Sequence, residues 1–330
     1  MASVDLQRLI PAMAKEAGAE ALVRLKAKAI KTSHRLVLGS ATQLDTIPDG
    51  SVQLCLNSPP YWNLKEYGEC DGQLGNLESF KEFCRQLEQC WKEAYRVLAP
   101  GGRMCVVVGD VVVGRKSVFG RHKSFPLHAA IQLSCENVGF DALTPILWHK
   151  IANAAFEAGG NHGSMLGKPY EPNGIVKSDT EFILLFRKPG GYRQVEDERR
   201  LASLIPADLH RAWFTQVWSD VQGAHGVDHP APYPVALAER LVRMFSFVGD
   251  TVLDNFLGSG SSVLAAAAWG RNSIGVDIEP RYVKLAAERL RQFLAKEGLH
   301  AAVEIQKAPR RKKPVPQAFP LVVPLLAKAV

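Results

Sequence analysis

An α/β fold built on a doubly wound, mostly parallel sheet is the expectation for this 330-residue chain, and three observations carry it. From Arg35 onward, short apolar runs alternate with amphipathic segments of helical period, which is the pattern of βα units. Two of those runs stop in residues suited to a ligand at the carboxyl edge of such a sheet, Asn57-Ser58-Pro59-Pro60-Tyr61 and Asp254-Asn255-Phe256-Leu257-Gly258. A hydrophobic content of 47% is enough to bury a full-sized core.

The elements follow in order. Residues 1–34 read as a helical extension of one or two helices, with Leu6, Ile10, Met13, Leu22, Leu25 and Ile30 as its buried stripe and Arg24, Lys26, Lys28 and Lys31 as a solvated basic face. Strands are expected at Leu36 to Leu38, Val52 to Asn57, Arg103 to Gly109, Leu143 to Trp148, Glu181 to Phe186, Thr251 to Asp254 and Asn272 to Asp277, where the apolar runs are short. Helices are expected at Leu77 to Leu98, His122 to Asn137, Val235 to Phe247, Ser261 to Trp269 and Pro280 to Lys296, and Pro100-Gly101-Gly102 and Gly139 mark two helix exits.

Two stretches break the rhythm: Ile151 to Ser178, rich in Gly, Asn and Pro, and Gly190 to His229, rich in Arg and Trp. Long irregular segments inside a compact α/β domain are usually functional or disordered. The tail beyond Ala301 carries Arg310-Arg311-Lys312-Lys313 among prolines and is expected to be flexible.

Composition excludes several classes. The six cysteines lack a CxxC pair and read as reduced and structural, and the nine histidines show no ligand spacing, so no metal is expected. Charges at Lys15, Glu16, Glu20 and Arg24 interrupt the first apolar segment, and no run is long enough to span a bilayer, so a cytoplasmic protein is expected. An excess of 40 Lys and Arg over 33 Asp and Glu gives +7, which suits a polyanionic partner without demanding one.

The first motif ends a strand with carbonyls that no proline N–H can satisfy, one hydroxyl and an aromatic ring, a setting for a planar, amine-bearing guest. Taken alone, Pro59-Pro60 equally punctuates a loop. The second runs from Thr251 through Gly258-Ser259-Gly260 into a helix, so its backbone can approach a ligand while the helix N-terminus offers free N–H groups. Val263 occupies the place of the third glycine of a dinucleotide fingerprint, which disfavours a bound pyrophosphate. Asp277 closes the next strand where a carboxylate would hold ribose hydroxyls, or simply cap the helix at Pro280. An adenosine-bearing ligand without pyrophosphate fits this pair, and S-adenosylmethionine is one.

With both motifs in place, the chain resembles the β-class S-adenosylmethionine-dependent DNA methyltransferases of exocyclic amino groups, in which the catalytic motif precedes the target-recognition region and the cofactor motif comes last. The resemblance covers about residues 35–295 through SPPYWNLKEYG (58–68), GQLG (72–75), VLAPGGRMCVVVGD (97–110), LWHK (147–150), EFILLFRKPGG (181–191), HPAPYPVALAERLV (229–242), DNFLGSGSS (254–262) and IGVDIEP (274–280). It implies a circularly permuted class I methyltransferase fold with a catalytic half at 35–150, an inserted target-recognition region at 151–228 holding a core strand near 181–187, a cofactor half at 229–300 and a basic tail at 301–330.

The resemblance also implies roles. Ser58 and the Pro59 carbonyl, braced by Pro60, would accept hydrogens of the target amine, and Tyr61 would stack on a flipped base, with Trp62 on the same wall. Asn57, His229, Pro230, Asp254, Phe256, Gly258, Ser259, Gly260 and Asp277 would surround the cofactor. No Pro-Cys dipeptide of the cytosine-C5 enzymes is present, so direct transfer to nitrogen is expected. Asp110, at another strand end, is either a polar supporting group or solvent-facing.

Ser58, together with Tyr233, resembles the cytosine-N4 members, whereas adenine-N6 enzymes more often carry aspartate at the first position. Two departures stand out: Asn255 replaces the usual proline, and Ser40 follows Gly39 where an acidic residue is common. DNA contacts are expected from Lys168, Arg193, Arg199, Arg200 and Arg211, beside Asn161, His162, Asn173, Lys177 and Gln194, because Arg, Asn and Gln reach base edges and Lys reaches phosphate.

Partners implied are double-stranded DNA and a cognate restriction endonuclease, for a monomer or homodimer in a prokaryotic cytoplasm or nucleoid. Rival readings are methylation of RNA or of a protein amide, and an inactive DNA-binding regulator.

Overall fold

The computed structural model describes residues 6–114, 120–150, 178–224, 226 and 228–309. Its main sheet comprises β1 (Thr32–Leu38), β2 (Val52–Asn57), β3 (Leu98–Val108), β6 (Asp141–His149), β7 (Thr180–Arg187), β8 (Val217–Trp218), β9 (Thr251–Asp254), β10 (Asn272–Asp277) and β11 (Ala301–Lys307), while β4 (Val111–Val113) and β5 (Lys123–Phe125) form a separate hairpin. The order is β11-β1-β10-β9-β2-β3-β7-β6-β8. The strands from β11 to β3 are parallel, and β7 alone runs against its neighbours β3 and β6. This is the doubly wound, mostly parallel sheet expected.

Helices cover both faces, because every buried strand needs an apolar layer on each side. Val37, Cys55, Val106 and Leu253 pack with Phe83, Leu87 and Trp91 of the helix Phe80–Val97 on one face. Leu54, Leu56, Val107 and Val252 pack with Leu237 and Leu241 of the helix Val235–Phe245 on the other. β2 lies beside β9, with Leu54 opposite Val252 and Cys55 opposite Leu253. The two sequence halves therefore meet there, and the ends of both motifs share one carboxyl edge. All six cysteines are unpaired, and burial pushes the Cys55 thiol up to about 12.

Several expectations are corrected. The tail does not become irregular at Ala301: residues 301–307 pair along the whole of β1, from Thr32 opposite Ala301 to Leu38 opposite Lys307. Alternation of Val303 and Ile305 with Glu304 and Gln306 is the signal of an edge strand; the basic cluster beyond lies outside the described residues. β1 begins at Thr32, inside the segment read as helical extension.

Leu6 is buried and Ile10 and Met13 pack inward as expected, but the second helix of the extension buries a different stripe. Ala19, Val23 and Ala27 pack on Leu204, Val248 and Trp269, leaving Leu22 45% and Leu25 67% exposed. Small residues win this face because the helix comes so close that a Cβ on Gly270 would stand 2.6 Å from the Ala27 carbonyl oxygen. The expected helix from His122 starts instead at Leu127, since Lys123–Phe125 pairs with β4 and Pro126 lacks an N–H to continue a helix backward. The stretch after Gly190 holds two short helices, Asp197–Ala202 and Ala207–Trp213, and β8.

Candidate active site

Asn57 ends β2 with its side chain fully buried, and its Nδ2 donates to Asn255 Oδ1 at 2.8 Å across the junction of β2 and β9. Asn57 Oδ1 and Asn255 Nδ2 are left without a hydrogen-bond partner. An unmade hydrogen bond at a buried polar atom costs about 1–3 kcal/mol. Asn255, the residue that departs from the family pattern, thus lines a cleft while its unpaired Nδ2 stays buried beneath the surface.

That cleft spans about 530 Å³ when its open mouth is counted. Ser58, Pro60, His229, Asn255, Phe256, Gly258 and Asp277 line it, so the two motifs converge on one space. Tyr67, Gly72, Gln73, Leu74, Ile278 and Tyr282 complete the wall, with Ser40 and Ala41. Sequence reasoning gave these six no role. The SPPYWNLKEYG, GQLG and IGVDIEP blocks were the available signals for Tyr67, Gly72, Gln73, Leu74 and Ile278, whereas Tyr282 arrives from a helix with none.

The glycine turn is shaped by contacts that only glycine permits. Gly258 has φ 48°, and a Cβ there would stand 2.7 Å from His229 Nε2. Its N–H donates to Asp277 Oδ2 at 2.8 Å, and the Glu279 N–H donates to Oδ1 at 2.9 Å. Burial nevertheless pushes the Asp277 carboxyl up to about 7. The same cause holds the His229 imidazole down to about 4, with the positive charge of Arg281 adding to it, so the ring is neutral at pH 7. Phe256 lies edge-on to Trp91 at 6.2 Å.

Five expected cofactor residues, Asn57, Pro230, Asp254, Ser259 and Gly260, are not among those that line the cleft. Asp254 is 1% exposed and accepts from the Tyr233 hydroxyl and the Phe256 N–H, each at 3.0 Å, and from the Ser262 hydroxyl. Burial pushes this carboxyl up to about 6. Ser259 offers its carbonyl to Arg289, and Gly260 is the close-approach point of two helices, where a Cβ would meet that of Ala286 at 2.8 Å. Pro230 is half-buried next to His229.

The loop after β2 departs from expectation at Trp62. A positive φ of 47° swings this residue into the core, where Nε1 donates to the Leu77 carbonyl at 2.7 Å and the ring packs on Phe80 and Phe125. At 2% exposure it offers no wall to a base. Tyr61 is also buried, at 8% exposure, and its N–H donates to the Tyr67 hydroxyl at 3.2 Å. A base would reach the Tyr61 ring face only by displacing a neighbour. Asp110 is half-buried and outside the lining of the cleft: it accepts from the His128 N–H and ring, fixing a histidine stacked on Phe182.

Two expected DNA contacts are corrected as well. Arg193 and Arg199 both bind the Asp250 carboxylate, at 2.7 Å for their shortest contacts, and Arg199 also donates to the Val248 carbonyl. Asp250 immediately precedes β9, so these arginines sit at the amino edge of the sheet, opposite the cleft. Arg200 lies 3.7 Å from Asp197, while Gln194 and Arg211 are exposed. Lys168 and its neighbours Asn161, His162, Asn173 and Lys177 fall outside the described residues. Among the described residues no cluster of His, Cys, Asp or Glu could hold a metal ion, and no helix is long and apolar enough to cross a membrane.

Comparison with known proteins agrees with this geometry. Residues 52–288 match a family model described as DNA methylase. The Type II methyltransferase M.MjaI of Methanocaldococcus jannaschii is 34% identical over 293 residues, covering 79% of this chain and 92% of that protein. A putative DNA modification methylase of Thermus thermophilus, solved in complex with S-adenosyl-L-methionine, is 44% identical with a TM-score of 0.68, over 84% of this chain and 100% of that one. The cytosine-N4-specific PvuII DNA methyltransferase shares the fold at 20% identity, with a TM-score of 0.55 over 83% of this chain and 96% of that one.

Proposed function

Because the chain belongs to the N6/N4 DNA methylase family and is an S-adenosylmethionine-dependent DNA methyltransferase, we propose that it methylates the exocyclic N4 of cytosine in duplex DNA. The observation that carries this reading is Ser58: a neutral hydroxyl at the end of β2, lining the same cleft as Phe256 and Asp277. Serine at this position and Tyr233 in HPAPYP support cytosine over adenine, by resemblance to the N4 enzymes.

When bound, S-adenosylmethionine supplies an electrophilic methyl group on sulfonium, whose C–S electron pair stays with sulfur. The cleft fits such a group: Asp277 has lone pairs for ribose hydroxyls, and Phe256 has an aromatic face for a purine. Neutral His229 adds no charge to repel a sulfonium. Ser58 Oγ and the Pro59 carbonyl accept the amine hydrogens, which draws the nitrogen lone pair out of conjugation. Positioning then supplies most of the acceleration, with no enzyme nucleophile. The base is flipped out of the duplex, since its amine is otherwise paired.

In the same reading residues 151–228 recognise the target, and the Type II designation of the relatives supports pairing with a restriction endonuclease. The test is mass spectrometry of nucleosides from duplex DNA incubated with the protein and labelled S-adenosylmethionine. Label in N4-methylcytosine is expected; label in N6-methyladenine overturns the assignment of the base.

A further inference from the structure

The loop after β2 has one early backbone anchor. Pro59 and Pro60 carry no N–H, so the Tyr61 N–H is the first main-chain donor after Ser58. Proline also fixes φ, which leaves ψ of Pro60 as the soft torsion between the plane of the Pro59 carbonyl and the Tyr61 N–H. Whatever holds that N–H therefore aims the Pro59 carbonyl. In the fold the holder is a side chain: the Tyr67 hydroxyl accepts the Tyr61 N–H at 3.2 Å.

Tyr67 is itself held from the opposite side of the cleft. Its carbonyl accepts from Arg281 Nη2 at 2.8 Å, and the same nitrogen donates to the Tyr282 hydroxyl at 2.9 Å. Three residues further on, the Cys70 N–H donates to Glu279 Oε1 at 3.2 Å, and that carboxylate lies so close to Gly68 that a Cβ there would overlap it. A Cβ on Gly75 would stand 2.7 Å from Tyr67 Cδ2, so the ring is confined as well. Glu279 and Arg281 sit at the start of the helix Pro280–Glu297, and the Glu279 N–H donates to Asp277. A row of hydrogen bonds thus runs from Asp277 through this loop to Tyr61.

We propose that Tyr67 is a positioning residue for methyl transfer: anchored by Arg281, its hydroxyl pins the Tyr61 N–H and so fixes the Pro59 carbonyl beside Ser58 in the direction that receives the target amine. Burial pushes the Tyr67 hydroxyl up to about 12, so it is a neutral phenol at pH 7, with lone pairs to accept the N–H. Without that hydroxyl, ψ of Pro60 is released and the carbonyl samples directions away from the amine.

The test is single-turnover methyl transfer to duplex DNA at saturating cofactor and DNA, using Tyr67→Phe, which keeps the ring in the cleft wall and removes the acceptor. The rate constant is expected to fall by about 10-fold, with S-adenosylmethionine Kd and DNA KM unchanged. A wild-type rate constant would overturn the proposal, as would a loss that appears only in Kd or KM. Arg281→Met frees the Tyr67 carbonyl and should slow transfer by less. Combined with Tyr67→Phe it should be no slower than Tyr67→Phe alone, because an anchor that acts through the hydroxyl then has nothing left to hold. Independent, multiplying losses would overturn the proposal. So would a wild-type rate in Arg281→Met, which also decides the matter should Tyr67→Phe fail to fold.

The inference rests on Ser58 and Pro59 receiving the amine, as proposed above, and Ser58→Ala separates the two. A wild-type rate in Ser58→Ala overturns that reading and the inference with it, whereas slow transfer in Ser58→Ala beside a wild-type rate in Tyr67→Phe overturns the inference alone. Transferred methyl is counted on whichever base carries it, so the choice of base does not enter the result.

Discussion

At the amino edge of the sheet Asp250 is gripped by Arg193 and Arg199 and also accepts the Phe247 N–H, whereas at the carboxyl edge Asp254 and Asp277 take their hydrogen bonds from hydroxyl and N–H groups. Both edges bury carboxylates. The first edge meets the Asp250 carboxylate with two opposite charges; the second holds the Asp254 and Asp277 carboxyls up at about 6 and about 7 and leaves Asn57 Oδ1 and Asn255 Nδ2 unpaired. An ion-paired carboxylate marks the edge that stabilises the fold, and carboxyls raised by burial beside unmet hydrogen-bonding groups mark the edge that binds.

That contrast can be broken or sharpened by substitution. The largest effect is expected from Tyr61→Ala, which removes both ring and hydroxyl and should lower single-turnover transfer by about 100-fold or more with S-adenosylmethionine affinity unchanged in equilibrium binding. Next is Asp277→Asn, for which cofactor Kd should rise by about 10-fold, because an amide accepts ribose hydroxyls less well than a carboxylate.

The same residue sets a pH dependence. Only ionised Asp277 accepts fully, so wild-type affinity measured by calorimetry should rise with pH and level off above about 7, and Asp277→Asn should lose that rise. Stability of the free protein has the opposite slope. A carboxyl raised from its ordinary 3.8 to about 7 holds its proton longer in the folded state, so its contribution falls as pH increases across that window.

At the other edge, Asp250→Asn should leave transfer and cofactor affinity alone and lower stability by about 2 kcal/mol in urea unfolding, below the usual cost of breaking a buried pair because Arg199 is 34% exposed. The smallest effect belongs to Arg200→Ala. Its 3.7 Å contact with Asp197 is a surface pair, so a change within about 0.5 kcal/mol is expected.

The same contrast explains what could be read from the sequence. Ser58, Phe256, Gly258 and Asp277 were legible because each stands within a few residues of a strand's carboxyl end, where strand and turn signals place it without long-range information. Trp62 was not, because a single backbone angle of 47° decides that it turns inward, and no local pattern announces a positive φ at tryptophan. Arg193 and Arg199 looked like loop charges available to DNA. Their partner, Asp250, lies about fifty positions away, and only the fold brings it to them.

Helical period alone placed Leu22 and Leu25 inside, but the docking depth set by Gly270 selected Ala19, Val23 and Ala27. Asp254 illustrates the middle case. Its position was legible, but its task is to hold Tyr233, Ser262 and the Phe256 N–H beneath the cleft wall.

The most direct measurement is the rise in Tm caused by saturating S-adenosylmethionine in wild type, Asp277→Asn and Asp250→Asn. Ligand binding stabilises in proportion to ln(1 + [L]/Kd), so the increment reports the site independently of the starting Tm. Asp250→Asn should melt lower than wild type yet gain the wild-type increment, and Asp277→Asn should gain much less. A full increment in Asp277→Asn, or its loss in Asp250→Asn, would contradict the division of the sheet into a stabilising and a binding edge.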